Sequence, residues 1–403
     1  MTAPLPPREP SDPLAPMRAA LAPQHARSRA AVGLAAMAAR GRFALQVCAA
    51  CAAVQYPPRD LCRRCLAADL PWRDIQDGAT VRAATTTRIS GDPYFRQHTP
   101  WRSGLVQLDA GPTCVAHLHR DVGTGARARM RLHLDKSGQG VMLALPAKDT
   151  PNMDADPQLR EFTADPRGRR ILVTDGRSAF GRAIAQSMLD AGAGGVFTGI
   201  AEQWKPFTPP PGAVIDLDLT DTGSVHRMSA EFGGRIDIVI DTTLHIRPGG
   251  LLERGTTIDA REEMERVYFG PLRLAQCLGP ALRARAGDGT HAACAWVSLI
   301  SIAGLVPQDG YRLNAAAHAA AVSLTHTLRA ELRPLKILAA LVGPLDDAWH
   351  QHVPPPKVTP ASLAAAVLRG LKSGLEDITV GDIAQDVMDR WTDHPAITLR
   401  HTA

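Results

Sequence analysis

The stretch of residues 296–332, WVSLISIAGLVPQDGYRLNAAAHAAAVSLTHTLRAEL, decides how the second half of this chain folds. An apolar run ends in Ser-Ile-Ala-Gly, whose serine is Ser301, and a loop with proline and glycine follows it. An alanine-rich segment, typical of a helix, then runs from Asn314 through His318. Ser301, Asn314 and His318 are the three positions on which the functional interpretation depends.

The stretch resembles the catalytic segment of the short-chain dehydrogenases/reductases. In that family a serine precedes Ile-Ala-Gly, and a Tyr-x-x-x-Lys pair follows thirteen residues later. Ser301 matches the serine, but Asn314 stands in place of the tyrosine and His318 in place of the lysine. Hydride transfer to a carbonyl needs a proton donor with a pKa near neutrality, and a carboxamide does not titrate. We therefore interpret the three positions as vestigial and expect no catalytic residue here.

Under two alternative interpretations the chain would be an active enzyme. Tyr311, on the loop before the helix, is a candidate for a displaced acid. A proton relay through Ser301, Tyr311 and His318 would make the chain an NAD(P)-dependent oxidoreductase with an atypical active site. The second alternative is a misplaced alignment, but AAAVSLTHTLRAEL after His318 matches the family's helix without a gap. The residues therefore favour a non-catalytic domain.

Residues 170–185, RILVTDGRSAFGRAIA, resemble the family's nucleotide loop, Thr-Gly-x-x-x-Gly-x-Gly, between a strand and a helix. Thr174 and Gly181 match the pattern, whereas Asp175 and Ala179 replace the first two glycines. Glycine lets the backbone approach a pyrophosphate, and a carboxylate at the same place repels one. We therefore expect NAD and NADP to bind weakly or not at all.

Other signature positions of the family are partly kept. Asp218 in LDLTD has the place that the family puts near adenine, so Thr174, Gly181 and Asp218 are the remaining candidates for cofactor contact. Val267 stands where the resemblance implies a catalytic asparagine. The order of matching segments implies an α/β fold with a doubly wound, Rossmann-like parallel sheet over residues 169–395.

Two Cys-x-x-Cys pairs lie within residues 43–72, FALQVCAACAAVQYPPRDLCRRCLAADLPW. Cys48, Cys51, Cys62 and Cys65 offer four thiolates, and each pair presents two of them to one face of a tetrahedral ion. The spacing predicts a structural zinc ribbon with a closed site, which stabilises the fold and leaves no open position for catalysis. A redox pair or a chance spacing is the alternative. The other three cysteines are isolated in sequence, as reduced cytoplasmic cysteines usually are.

Five short runs of alternating or β-branched residues follow the cysteines, and Gly, Asp and Pro separate them. They are 80–89, 103–109, 113–119, 128–135 and 140–146. Their spacing predicts a small five-stranded barrel. With the ribbon and the turn Tyr56-Pro57-Pro58-Arg59, residues 40–148 resemble an acyl-CoA-associated family that joins a rubredoxin-like zinc ribbon to an OB-fold. The resemblance implies thiolase-like or hydratase-like partners that act on CoA thioesters, and it transfers no catalytic residue.

The predicted domain order follows from these motifs. It comprises an N-terminal tail and helix at 1–41, the zinc ribbon at 42–72, the OB-fold barrel at 73–148, a linker at 149–168 and the dehydrogenase-like domain at 169–395. Composition is that of a soluble globular protein, and no stretch of eighteen apolar residues occurs. The first ten residues lack the pattern of a signal peptide. We therefore expect a cytoplasmic protein with no membrane span.

Charge divides unevenly along the chain. Residues 1–150 contain 20 Lys and Arg against 11 Asp and Glu, while the remainder contains 25 against 29. A basic first half attracts phosphates, either those of CoA or those of a nucleic acid. Arg59, Arg63 and Arg64 are candidate phosphate contacts, with an ordinary solvated surface as the alternative. Aromatic residues suited to base stacking are few, so a nucleic-acid-binding OB protein is a third and disfavoured hypothesis.

The combined interpretation is a non-catalytic accessory or scaffold subunit in CoA-thioester metabolism of the β-oxidation type. Its expected partners are a thiolase-like protein and an active short-chain dehydrogenase subunit, with acyl-CoA as a candidate ligand. In the dehydrogenase family, the helices that correspond to about residues 259–284 and 313–332 pack against a second subunit. The alanines between 315 and 321 keep the second of these helices slim enough for close approach.

Overall fold

The computed structural model describes residues 1–8, 21–24, 28–250, 252, 256–308 and 310–401. The chain divides into two compact units, one built on Leu21–Asp165 and the other on Pro166–Leu371 and Glu376–Ala403. Part of the predicted N-terminal tail and helix, at residues 9–20 and 25–27, lies outside the described residues. Within the described part, helix α1 spans Ala31–Ala39 and buries one side of its apolar sequence.

The first unit contains a three-stranded antiparallel sheet. Its strands are β1 (Ala44–Val47), β2 (Val54–Gln55) and β3 (Trp72–Asp74), in the order β2-β1-β3. The two Cys-x-x-Cys turns lie in the two loops that connect these short strands. Phe43 and Leu45 are buried in the same apolar core as the barrel that follows.

A closed barrel follows the ribbon, in the strand order β4-β5-β6-β8-β7. Its strands are β4 (Gly78–Thr87), β5 (Trp101–Leu108), β6 (Thr113–Leu118), β7 (Arg127–Leu134) and β8 (Gly140–Pro146). Alternate residues of each strand point inward, so that Val106, Leu118 and Met130 are fully buried in the core. The prediction of a five-stranded barrel is confirmed.

An aromatic cluster packs against Leu143 and Leu145 of β8, on the face of the strand opposite to the barrel core. Helix α2 (Pro93–Gln97) and helix α3 (Pro157–Phe162) bring Tyr94 and Phe162 against Trp101. Trp101 and Phe162 meet edge to face with ring centroids 5.9 Å apart, a favoured aromatic geometry. Helix α3 lies within the stretch 149–168 that the sequence analysis assigns to a linker, and its Phe162 is buried in this cluster.

The second unit is a parallel sheet of seven strands in the order β11-β10-β9-β12-β13-β14-β15. The strands are β9 (Arg170–Val173), β10 (Gly195–Ile200), β11 (Ala213–Asp216), β12 (Ile238–Asp241), β13 (Ala295–Ser301), β14 (Lys336–Val342) and β15 (Asp377–Val380). The described helices are α4 (Ala179–Asp190), α5 (Thr222–Phe232), α6 (Ile258–Met264), α7 (Gly270–Arg285), α8 (Ala315–Glu331), α9 (Pro360–Ser373), α10 (Asp382–Asp393) and α11 (Pro395–His401).

The central strands are buried along their whole length because helices cover both faces of a doubly wound sheet. All residues of β13 and β14 are buried, including Trp296. The strand order reverses beside β9, and the loops after β9 and β12 meet at this switch point, where such folds bind ligands. The predicted Rossmann-like fold is confirmed. None of the helices in the described ranges is both long enough and apolar enough to cross a membrane.

Candidate functional site

The four predicted metal ligands come together. The Sγ atoms of Cys48, Cys51, Cys62 and Cys65 all lie within 4.8 Å of one another. The Sγ atoms of Cys48 and Cys65 are 3.5 Å apart, and those of Cys51 and Cys62 are 3.6 Å apart. A tetrahedral zinc ion with Zn–S bonds of about 2.3 Å needs sulfurs about 3.8 Å apart. The four thiolates therefore fit zinc in a closed, structural site.

Each Cys-x-x-Cys turn folds in the same way. After the second cysteine of each pair, Ala52 and Leu66 take the left-handed conformation, with φ of 57° and 61°. The N–H of Ala52 donates to the oxygen of Cys48, and the N–H of Leu66 donates to the oxygen of Cys62, both at 2.9 Å. This conformation costs about 1 kcal/mol for a residue with a Cβ, and the geometry of the metal site offsets it.

The second turn also stabilises thiolate. Backbone N–H groups of Cys65 and Arg64 lower the pKa of Cys62 to about 6, and the Arg64 N–H lies 3.4 Å from the Cys62 sulfur. A thiolate is the form that binds zinc, so these N–H groups favour the binding form at Cys62. At Cys65, despite the backbone hydrogen bond of Ala67, the neighbouring thiols raise the pKa to about 12.

Two buried glutamines hold the second turn against the sheet, and the sequence interpretation missed both. The side-chain amide of Gln46 exchanges hydrogen bonds of 2.8 and 2.9 Å with the backbone N–H and oxygen of Arg59. The Oε1 atom of Gln55 accepts from the backbone N–H of Arg63 at 2.7 Å. The sequence does contain one indication of this role, because Gln46 and Gln55 are polar residues on short strands next to the cysteines.

Ser301 and His318 form a structural bracket at the carboxyl edge of the parallel sheet. The Ser301 hydroxyl oxygen accepts from the backbone N–H of Ala303 at 3.2 Å. The Nδ1 atom of His318 accepts from the backbone N–H of Ser301 at 3.2 Å, and its Nε2 lies 3.3 Å from the backbone oxygen of His245. Burial lowers the pKa of His318 to about 4, so its ring is neutral at pH 7. A neutral ring with both nitrogens engaged does not replace a lysine ammonium.

The two other candidate positions for an acid are Asn314 and Tyr311. Asn314 is fully buried, and neither its Nδ2 nor its Oδ1 has a hydrogen-bond partner among the described residues. Tyr311 donates its hydroxyl to the backbone oxygen of Trp349 at 2.8 Å. Its ring stacks on those of His350 and His352, with centroids 5.0 and 5.4 Å away. Burial and then Asp347 raise the pKa of Tyr311, which is the opposite of what a general acid requires.

Carboxyl groups surround the nucleotide turn. The Thr174 hydroxyl donates to Asp241 at 3.2 Å and accepts from the backbone N–H of Thr242 at 2.9 Å. Asp175 accepts from the backbone N–H of Arg177 at 2.8 Å, so a turn amide binds the chain's own carboxylate. Burial raises the pKa of Asp241. The predicted contact Thr174 thus belongs to an internal network that places acids where the resemblance implies a dinucleotide.

Gly181 is kept for packing. A Cβ at Gly181 would lie 1.7 Å from the backbone oxygen of Asp175, so no larger residue fits where α4 meets the turn. The Ser178 hydroxyl caps α4 by accepting from the Gly181 N–H at 3.0 Å. The single glycine that matches the nucleotide pattern is therefore explained by the fold alone.

Arg177 binds residues 201–206, which lie across the nucleotide turn. No sequence motif indicates this contact. Its guanidinium donates to the backbone oxygens of Ala201 at 3.0 Å, Glu202 at 2.8 Å and Pro206 at 3.1 Å. It also lies 5.4 Å from the ring centre of Phe207. We call residues 201–207 with Arg177 the arginine latch. It lies beyond the end of β10, the edge where doubly wound folds hold a nucleotide's ribose.

Asp218 and Val267 are also explained by local packing. The Asp218 carboxylate accepts from the backbone N–H and the hydroxyl of Thr220, at 2.9 and 2.7 Å. Val267 is buried within a π-helical turn, Glu265–Phe269, that joins α6 to α7. A π-turn often marks a functional site, but an apolar side chain here offers no catalytic group.

We expect NADH and NADPH to bind at least about a hundredfold more weakly than a cofactor with micromolar affinity, a loss of about 3 kcal/mol. Asp175 repels the pyrophosphate, and the arginine latch covers the ribose edge. Titration calorimetry on the zinc-loaded chain measures this directly. The paired variant Asp175→Gly with Arg177→Ala should strengthen binding, and micromolar binding by the unaltered chain would contradict the prediction.

Of the three aromatic residues within 94–101, two are buried and Phe95 is half-buried. Tyr94 and Trp101 are buried, and the Trp101 indole N–H donates to Nδ1 of His117 at 2.9 Å. Burial lowers the pKa of His117 to about 4, so this ring is a neutral part of the aromatic cluster. Arg63 and Arg64 are exposed, as a phosphate contact or a solvated surface requires.

Comparisons with known proteins separate the two halves. Residues 35–71 match the rubredoxin-like zinc ribbon domain of ChsH2, and residues 72–133 match the C-terminal OB-fold domain of ChsH2. The first half therefore has a ChsH2-type zinc ribbon and OB-fold, as the sequence predicted.

The second half is similar to short-chain dehydrogenases. It is 28% identical over 181 residues to a 3-ketodihydrosphingosine reductase of Dictyostelium discoideum, which covers 40% of this chain and 53% of the reductase. It is 27% identical over 245 residues to dehydrogenase/reductase SDR family member 7B of Bos taurus, which covers 55% of this chain and 70% of that protein. The chain thus spans about half the length of the first relative.

A solved structure has the same fold. The second half aligns with the crystal structure of a short chain dehydrogenase from Burkholderia cenocepacia in complex with NADP. The alignment covers 59% of this chain and 98% of the dehydrogenase. The two are 26% identical, with a TM-score of 0.53. The second half therefore has the short-chain dehydrogenase fold.

Proposed function

We propose that this chain is a non-catalytic accessory subunit of CoA-thioester metabolism. In this proposal its dehydrogenase-like domain pairs with an active short-chain dehydrogenase, and its ribbon and barrel bind a thiolase-like protein. The ChsH2-type domains beside a short-chain dehydrogenase fold support the association with CoA metabolism. The observation that carries the non-catalytic role is the site itself, where Asn314 cannot titrate, His318 is a neutral brace and Tyr311 has an engaged hydroxyl.

Joining the two modules in one chain has a physical consequence. A protein that binds two successive enzymes raises the concentration of each near the other, to about the millimolar range for a short connection. The product of one enzyme then meets the next before it diffuses away. This organising role requires stable docking surfaces and no chemistry of its own.

The exposed face of α8 supports the proposed pairing with a dehydrogenase. Ala316 and Ala319 are exposed, and Ala320 is half-buried beside them. Ser323 and Thr327 continue the same stripe at helical spacing. Small side chains let the backbone of a second helix approach closely, whereas a solvated helix face usually carries charged residues.

We expect Ala316→Arg to weaken binding of the dehydrogenase partner by about a hundredfold, because it places a bulky unpaired charge inside a close helix contact. Zinc content and association with the thiolase-like protein should not change. The measurement is affinity purification of the tagged full chain from its native host at low salt, with partners identified by mass spectrometry. Ala230→Arg, at an exposed alanine of α5, is the matched control.

Two results would refute the proposal. One is a full chain that purifies alone, with neither a dehydrogenase nor a thiolase bound. The other is hydride transfer by the purified chain that Tyr311→Phe or His318→Ala abolishes, which would establish the oxidoreductase alternative.

A further inference from the structure

The two Cys-x-x-Cys turns of the ribbon have the same backbone fold but different side chains. In each turn, the residue after the second cysteine donates its N–H to the oxygen of the first cysteine at 2.9 Å. The N–H of the first cysteine donates to the oxygen of the residue five positions later, at 3.0 Å in the first turn and 2.9 Å in the second. The first turn reads Cys-Ala-Ala-Cys-Ala from Cys48, whereas the second reads Cys-Arg-Arg-Cys-Leu from Cys62. The fold of such a turn therefore needs neither the arginines nor the leucine.

The second turn exposes two large apolar side chains. Leu61, which precedes the turn, is 49% exposed, and Leu66 is 72% exposed. Neither leucine belongs to the apolar core that the ribbon shares with the barrel. Leu66 also has the left-handed conformation, which is costly for a residue with a Cβ and carries no penalty for glycine. A strained and exposed leucine contributes little to the fold of the free chain, so a contact outside the chain accounts for it better.

The same turn carries two cations without counterions. Arg63 and Arg64 are exposed, and neither guanidinium forms an ion pair or a hydrogen bond among the described residues. Asp60 and Asp69 lie in the same stretch of sequence, but neither is paired with an arginine of the turn. The second turn thus presents unpaired positive charge beside exposed apolar surface.

This combination is complementary to a protein surface on which carboxylates surround an apolar pocket. A carboxylate binds the arginine fork through two parallel hydrogen bonds, and a leucine gains free energy when a pocket removes it from water. A phosphate ligand would pair with the arginines and leave the leucines in water. The leucines therefore favour a protein over CoA or a nucleic acid.

We infer that the second zinc turn, with Leu61 before it, docks an acidic and apolar surface of the thiolase-like partner. The choice of partner rests on the proposed function, which makes a thiolase-like protein the partner of the ribbon and barrel. Because the metal site fixes the backbone of the turn, little backbone entropy is lost on binding. The partner surface then carries carboxylates that face Arg63 and Arg64.

The triple variant Arg63→Ala, Arg64→Ala, Leu66→Ala tests this docking, because it gives the second turn the sequence of the first. Binding of the thiolase-like protein, purified from the native host, to the zinc-loaded full chain is measured by calorimetry. We expect the triple variant to bind at least about thirtyfold more weakly, which is the effect of losing one strong interface contact. Its zinc content should not change. Binding by the unaltered chain should weaken as the salt concentration rises, and most of this dependence should be absent from the triple variant.

The matched control removes two exposed arginines and one exposed aliphatic side chain from β4 and the loop after it, as Arg82→Ala, Arg88→Ala, Ile89→Ala. This control has the same net charge as the triple variant and should bind the partner as the unaltered chain does. Leu66→Gly separates docking from folding, because glycine relieves the left-handed strain. Its melting temperature should be unchanged or higher, whereas its binding of the partner should weaken.

Equal binding by the triple variant and the unaltered chain would overturn the inference and leave the scaffold proposal intact. A lower zinc content or melting temperature of Leu66→Gly would also overturn it, because the leucine would then serve the fold. CoA binding that the triple variant abolishes while partner binding is kept would assign the arginines to phosphate instead. If no thiolase-like protein purifies with the full chain, both the inference and the scaffold proposal fail.

Discussion

Replacing Cys51 or Cys65 with serine is expected to abolish zinc binding and unfold the ribbon. The three strands of the ribbon have four, two and three residues, too few to hold together by backbone pairing. Zinc binding by such modules supplies on the order of 10 kcal/mol of folding free energy. Without metal, the left-handed Ala52 and Leu66 also lose the contacts that offset their strain.

The measurement is zinc per chain by elemental analysis, together with thermal unfolding before and after a chelator. Cys277→Ser, at a half-buried cysteine of the second unit, is the matched control and should retain one zinc. Because the parallel sheet has its own core, we expect the second unit to stay folded in the ribbon variants. One zinc per chain in both Cys51→Ser and Cys65→Ser would show that the ligand assignment is wrong.

The fold was predictable because local pattern encodes it. Cys-x-x-Cys spacing fixes the geometry of a turn, so Cys48, Cys51, Cys62 and Cys65 could be assigned from their spacing alone. The five predicted strand runs overlap β4 to β8, since alternation of inward and outward residues is a property of each strand by itself. The order of strand, glycine turn and helix around Thr174 likewise indicated a doubly wound sheet.

The state of the candidate site depends on contacts between distant segments, which no local pattern contains. The identities of Asn314 and His318 could be read, but not that both nitrogens of His318 are engaged or that the amide of Asn314 has no partner among the described residues. The arginine latch joins Arg177 to residues about 25 positions away. This contact depends on the path of a proline-rich loop, which the local sequence does not determine. Tyr94 and Trp101 were visible as neighbours, whereas their burial depends on α3.

The second large effect is a loss of stability of the dehydrogenase-like domain in mild acid. The pKa of His318 is about 4 in the folded chain, below its ordinary value of 6.5, because its site is buried. Between these values the unfolded chain binds a proton that the folded chain does not. The stabilisation is therefore complete above about pH 6.5 and is lost as the pH falls towards 4. A shift of this size corresponds to about 3 kcal/mol, of which about 2 kcal/mol is lost between pH 7 and pH 5.

Hydrogen exchange of the α8 amides in the full chain, at pH 7 and pH 5 with the intrinsic rate corrected, reports this local stability. His318→Gln keeps a neutral side chain with a donor and an acceptor, and it should remove about half of the dependence on pH, because burial, then Arg266 and Arg247, lower the pKa of His245 to about 4 as well. The matched control is His326→Gln, at an exposed histidine of the same helix. Equal pH dependence in the unaltered chain and in His318→Gln would contradict the prediction.

The pH dependence of hydrogen exchange also distinguishes a structural role of His318, called a brace, from a role as a catalytic base. The oxidoreductase alternative needs this ring to exchange a proton near neutral pH, and such a group would titrate between about 6 and 7. A brace stays neutral down to about pH 4 because protonation would break the bond that Nδ1 accepts from the Ser301 N–H and would bury an unpaired charge. A loss of stability that begins below pH 6.5 and is clearly smaller in His318→Gln therefore supports a structural role of His318 in place of proton transfer.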